Sequence, residues 1–245
     1  GEDDEKRGDL DKALAKFTEA HRVTEALLRR DPNNSDRIFA HAKSENWLGH
    51  LAYWRKDYAE AASRTVMNKS LIKKLMQNPN KQADWVRHAG YSHGSDCARL
   101  ITTATDPESA LQECSQALEY IEVLWTLLPN DRQVLSDLAN RHAWLADAYF
   151  ANKQIGKGFA HRGEQLRLVN SLVDEDPDNL SWREQWAVTQ LSYAELLFEN
   201  KRQNEARTYA RKSYGIANQL VRHDPDNARY ADWRKRTEKL INREE

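Results

Sequence analysis

Glycine and proline are scarce in this chain of 245 residues, with nine of the first and six of the second. So few turn formers exclude a fold of many tight β-hairpins, and the Ala, Leu, Glu, Arg and Lys that fill the remainder favour helix. Cysteine occurs only at Cys97 and Cys114, too rarely for a disulfide framework, and leaves the redox compartment open. No apolar run approaches the roughly 20 residues needed to cross a bilayer, and the opening GEDDEKRGD is the opposite of a signal peptide. Net charge is also nearly absent: 37 basic against 38 acidic residues give −1. Nucleic acid therefore has no bulk electrostatic reason to bind. These absences lead to the expectation of an all-α, soluble protein with no membrane insertion, the cytoplasm being the favoured compartment. The chain lacks an initiating Met, which suggests a processed product or a piece of a longer protein.

What is present is a rhythm. Leaving out Pro107, the prolines fall at Pro32, Pro79, Pro129, Pro177 and Pro225, spaced by 47, 50, 48 and 48 residues. Proline lacks an N–H and fixes φ, so a regular proline marks a regular helix boundary. The Asp and Asn residues beside it, in DPNN (Asp31 to Asn34) and DPDN (Asp176 to Asn179, Asp224 to Asn227), can cap the following helix. A small residue stands 18 or 19 positions before each proline: Ala13, Ala61, Ala110, Gly158 and Ala206. A second small position lies 17 after it, at Gly49, Ala146 and Ala194, with Cys97 in the corresponding place if one extra residue is allowed. Small residues facing each other let two helices approach closely.

The segments WLGHLAYWRKDYAEAA (Trp47 to Ala62), WLADAYFANKQIGKG (Trp144 to Gly158), SYAELLFENKRQNEA (Ser192 to Ala206) and GDLDKALAKFTEA (Gly8 to Ala20) resemble a tetratricopeptide repeat (TPR) array. The usual repeat of that family is about 34 residues; here both helices are longer, as in the C-terminal regions of large bacterial multidomain signalling proteins. The resemblance implies a right-handed superhelical solenoid of antiparallel helix hairpins, about four long ones plus flanking single helices. Its expected parts are an orphan second helix in 1–30, repeats at 31–78, 79–128, 129–176 and 177–224, and a charged, solvent-facing capping helix at 225–245.

Catalytic spacing is not found. The Gly156, Lys157, Gly158 segment lacks the earlier glycine and the following Ser or Thr of a phosphate loop. His88, His93, Cys97 and Cys114 can converge, but the paired cysteines of a zinc motif are missing. Buried thiols packed as small hydrophobes are the preferred reading, a disulfide is geometrically conceivable, and no metal, cofactor or enzymatic activity is assigned. Trp47, Trp85, Trp144 and Trp182 recur once per repeat as core, whereas Trp54 and Trp186 break the pattern and are candidate contact residues.

The resemblance further implies that a peptide or a partner's helix binds in a concave groove lined by first helices. Asn46, His50 and Tyr53 in one repeat, Asn140, Ala143, Asp147 and Phe150 in another, and Leu191, Glu195 and Phe198 in a third are the expected lining. The family's clamp for a C-terminal carboxylate is absent, since only Lys43 and Asn46 come near it. The acids Asp147 and Glu195 favour a neutral or basic apolar segment. The leading expectation is a protein–protein interaction module, the sensing part of a larger bacterial protein. The rivals are an intramolecular regulatory or homodimerisation domain and a metal or enzymatic site around Cys97.

Overall fold

The computed structural model describes residues 10–243; Gly8, in the turn read before the first helix, lies outside them. The described residues form ten α-helices and no strand. In chain order they are α1 (Leu10–Arg30), α2 (Ser35–Trp54), α3 (Tyr58–Met76), α4 (Ala83–Thr103), α5 (Pro107–Leu127), α6 (Arg132–Ala151), α7 (Ile155–Glu175), α8 (Leu180–Glu199), α9 (Gln203–His223) and α10 (Ala228–Ile241). Each of the four segments bounded by the regular prolines holds two helices of 19 to 21 residues.

The repeated letters act as helix starts. Asn34, Asp131, Asn179 and Asn227 are the N-caps of α2, α6, α8 and α10, and each side chain accepts a backbone N–H of the first turn. In the two DPDN copies the first Asp accepts from the capping amide, at 3.2 Å for Asp176 and 3.3 Å for Asp224. The copy before α4 departs from this, because Gln82 occupies the cap with no side-chain hydrogen bond. Inside the hairpins, Asp57 and Asp106 cap α3 and α5, and Pro107 begins α5 where a missing N–H costs nothing.

The turns within hairpins repeat as well. Lys56, Lys153 and Lys201 all have φ near +60°, each closing its first helix with the paired hydrogen bonds of a Schellman ending. For Lys56 these are Lys56 N to Tyr53 O and Asp57 N to Ala52 O, at 2.9 and 2.8 Å. Ala104 takes the corresponding left-handed place after α4.

The described residues divide into two compact units, neither bounded by the proline rhythm: one comprises the described chain up to Val134 with Trp144–Gly158, the other Leu135–Ala143 with the described residues from Phe159. In the first, consecutive helices α1 to α5 pack on one another, and α2 also reaches α4. Its core joins Ile38, Ala42, Ile72, Leu75, Trp85 and Ala89; a second cluster sets Phe17 and Ala13 of α1 against Leu48 and Leu51 of α2. Small residues do bring helices together there, since a Cβ on Gly49 would lie 3.1 Å from Arg64 Cβ and 3.7 Å from the carbonyl of Ala61. In the second unit α8, α9 and α10 pack mutually around Leu191, Ala210, Leu220, Tyr230 and Trp233. The last helix is therefore more than a solvent-facing cap, because Tyr230, Trp233, Thr237 and Leu240 are buried. No described helix is long and apolar enough to cross a membrane.

Candidate functional site

The expected groove residues meet three different fates. On α2, Asn46, His50 and Tyr53 are half-buried and belong to an aromatic stripe that runs from Trp47 through His50 to Trp54 and Tyr53, with ring centroids 5.9 to 6.0 Å apart. Trp54 Nε1 donates to His50 Nε2 at 2.9 Å, and Tyr53 hydroxyl bonds Thr102 of α4 at 2.9 Å. The hydrogen bonds fix the ring orientations while Trp54 remains 56% exposed. Trp186, the other tryptophan outside the rhythm, is only half-exposed and gives its indole N–H to Asn170.

On α8 the expectation is corrected. Glu195 is paired through both carboxylate oxygens with Arg236 of α10, at 2.9 and 2.7 Å, and the Arg243 guanidinium lies 4.3 Å from the Phe198 ring centroid. Leu191 is fully buried. The last helix, through Arg236, and Arg243 just beyond it thus engage this position, and the Glu195 charge available to a basic partner is already met. On α6, Asn140 is exposed, Ala143 and Asp147 are half-buried, and Phe150 packs its ring where a Cβ on Gly158 would stand, 2.6 Å away.

Cys97 and Cys114 are joined as a disulfide between α4 and α5, with Cα atoms 4.9 Å apart. The reading of two free, packed thiols is therefore replaced, and these sulfurs are not thiolate ligands for zinc. Beside the bond, Lys69 reaches Asp96 and Glu113, both at 2.6 Å, and His93 Nδ1 lies 2.7 Å from Glu113. Burial opposes ionisation of Glu113, yet the hydrogen bonds from His93 and Lys69 outweigh it and hold the carboxyl below its usual range.

A polar position that the sequence did not single out recurs across hairpins. Four residues before the small position of a first helix and three after that of the second stand Glu45 and Arg64, then His93 and Glu113, then His142 and His161. These pairs meet at 3.0, 2.7 and 2.9 Å. In the first of them His21 of α1 and His41 of α2 join Glu45 and Arg64. Burial, reinforced by the charge of His21, pushes His41 below its ordinary range.

Comparison with known proteins bears on the fold alone. No protein-family model matches the chain, and no curated protein matches it. Among solved structures it is similar to BtubC (BKLC) from P. vanneervenii, with a TM-score of 0.56 at 12% identity, over 95% of this chain and 88% of that one.

Proposed function

We propose that the protein is a non-catalytic interaction module made of helical hairpins of the tetratricopeptide type, and that it takes a peptide segment of a partner protein on the aromatic stripe of α2. The observation that carries the reading is Trp54, a large ring more than half in water at the end of a stripe in which His50 and Tyr53 are held by hydrogen bonds. Rigid aromatic rings offer large contact area at little entropic cost and accept aliphatic or guanidinium groups on their faces. The hairpin reading draws support from first helices that touch the next first helix, α2 to α4 and α8 to α10, and from the polar pair repeated at one register position. An intramolecular role has support at the C-terminal end, where Arg236 of α10 engages Glu195 and Arg243, just beyond that helix, covers the ring of Phe198. Membership of a larger bacterial signalling protein is part of the same proposal and rests on the resemblance in sequence.

Selection from a displayed random-peptide library tests it. Enriched peptides should quench tryptophan fluorescence, and Trp54→Ala combined with Tyr53→Ala should reduce their binding at least about tenfold, as expected for a central aromatic pair. Equal binding to that variant, with helicity intact, would reject the site.

A further inference from the structure

We propose that His21, His41 and Glu45 form a site for a zinc-class divalent cation bridging α1 and α2. His41 and Glu45 stand one helical turn apart on α2, and His21 comes from α1; their ligand atoms all lie within 4.8 Å of one another, with His41 and Glu45 buried. His21 Nε2 is 2.8 Å and His41 Nε2 3.6 Å from the same oxygen, Glu45 Oε1. A metal that holds nitrogen and oxygen ligands at about 2.0–2.2 Å in a tetrahedron spaces them by about 3.3 Å, between those two separations.

The surrounding hydrogen bonds orient the donors. Thr24 hydroxyl donates to the carbonyl of His21 at 3.0 Å and Ser44 hydroxyl to that of His41 at 2.7 Å. The two hydroxyl oxygens lie 3.0 Å apart and 3.1 and 3.4 Å from His41 Nδ1. In the tautomer that keeps its proton on Nδ1 for those oxygens, His41 turns the Nε2 lone pair toward the Glu45 carboxylate, a juxtaposition that a cation would relieve. Such support from a neighbouring group is what fixes a ligating histidine. His21 Nε2 faces a further conflict. It meets the carboxylate, which needs its proton, and Arg64 Nη1 at 3.3 Å, which needs its lone pair. A metal resolves both, since each nitrogen then offers a lone pair to the ion. Arg64, 3.0 Å from Glu45 Oε2, neutralises the acid in the metal's absence, and its Nε is already tied to Glu60 at 2.7 Å, which keeps the guanidinium paired when the ion displaces it. The stem of the site is structural: it would pin α1, which packs on α2 at the start of the described chain.

Titration of the whole chain with Co²⁺ at neutral pH tests the proposal. One equivalent should produce visible absorption bands of a nitrogen- and oxygen-ligated site, removed by competing Zn²⁺. His41→Ala and Glu45→Gln should abolish the bands, and Thr24→Val, which leaves all three ligands in place, should weaken binding about tenfold. Should a ligand variant fail to fold, the unaltered protein decides: Zn²⁺ should shift the imidazole nitrogen resonances of His21 and His41 and leave those of His142 and His161 in place. Absence of stoichiometric binding, binding unchanged in folded His41→Ala, or shifts confined to other histidines would overturn it.

Discussion

Gly90 and Gly215 both lie inside helices, under opposite constraints. A Cβ on Gly90 would stand 2.7 Å from Ile121 Cδ1 and 3.3 Å from Tyr120 Cβ, while one on Gly215 would meet nothing within 4 Å. Ile121 is fully buried and has little room to yield. Overpacking costs about 1–3 kcal/mol, more than the about 1 kcal/mol that alanine gains in helix propensity. Gly90→Ala should therefore destabilise by about 1 kcal/mol, and Gly215→Ala should stabilise by about 0.5–1 kcal/mol, both read from urea unfolding midpoints. Equal responses would mean that close packing does not govern the first glycine. At this scale the sequence was partly legible. Small residues announced close approach at Gly49 and Ala61, but His21, His41 and Glu45 escaped notice because His21 is 24 residues from Glu45. Only knowing which faces of α1 and α2 meet turns three scattered letters into one cluster.

Among the helices, the starts were the most legible feature, since a cap is chemistry between residues two or three apart. Asn34, Asp131, Asn179 and Asn227 need no tertiary contact to bond their own first turns. Gln82 breaks the series, although its backbone is already extended, with φ −87 and ψ 145. Gln82→Asp should thus supply the missing acceptor, favour the positive end of α4 and add about 1 kcal/mol, measured by the same unfolding midpoints. No gain would show that the N–H groups of α4 are satisfied otherwise. What sequence reasoning missed about elements concerns α10. Its dense charge suggested a solvated cap, yet Arg236 reaches Glu195, Arg243 just past the helix reaches Phe198, and Tyr230 and Trp233 enter the core. Composition counts charges and is blind to the side on which they stand.

For the molecule as a whole, histidine burial predicts how stability depends on pH. Burial pushes His88 and His142 each down to about 4, the charge of His161 adding to the effect on His142. Asn68 donates to His88 Nε2 at 2.9 Å, which suits the neutral ring. Unfolded, each would take its proton near the ordinary value of about 6.5. Between about 6.5 and about 4 the unfolded chain therefore binds more protons than the folded one, so stability is full above that window and falls as pH drops through it. Melting temperatures should decline from about pH 7 to about pH 5, and His88→Gln, whose side-chain carbonyl can still accept from Asn68, should flatten the decline. A flat profile in the unaltered protein would contradict the burial of these rings.

The bond between Cys97 and Cys114 spans a sequence separation of 17 within a single hairpin. If tension were applied to the two ends of the chain, that stretch would be withheld from the extension, roughly 60 Å of contour at the full reach of a polypeptide. Pulling would run out every other hairpin to its full length and stop short at this one, so a tether passing through it keeps a fixed knot whose length changes only with the redox state of its surroundings.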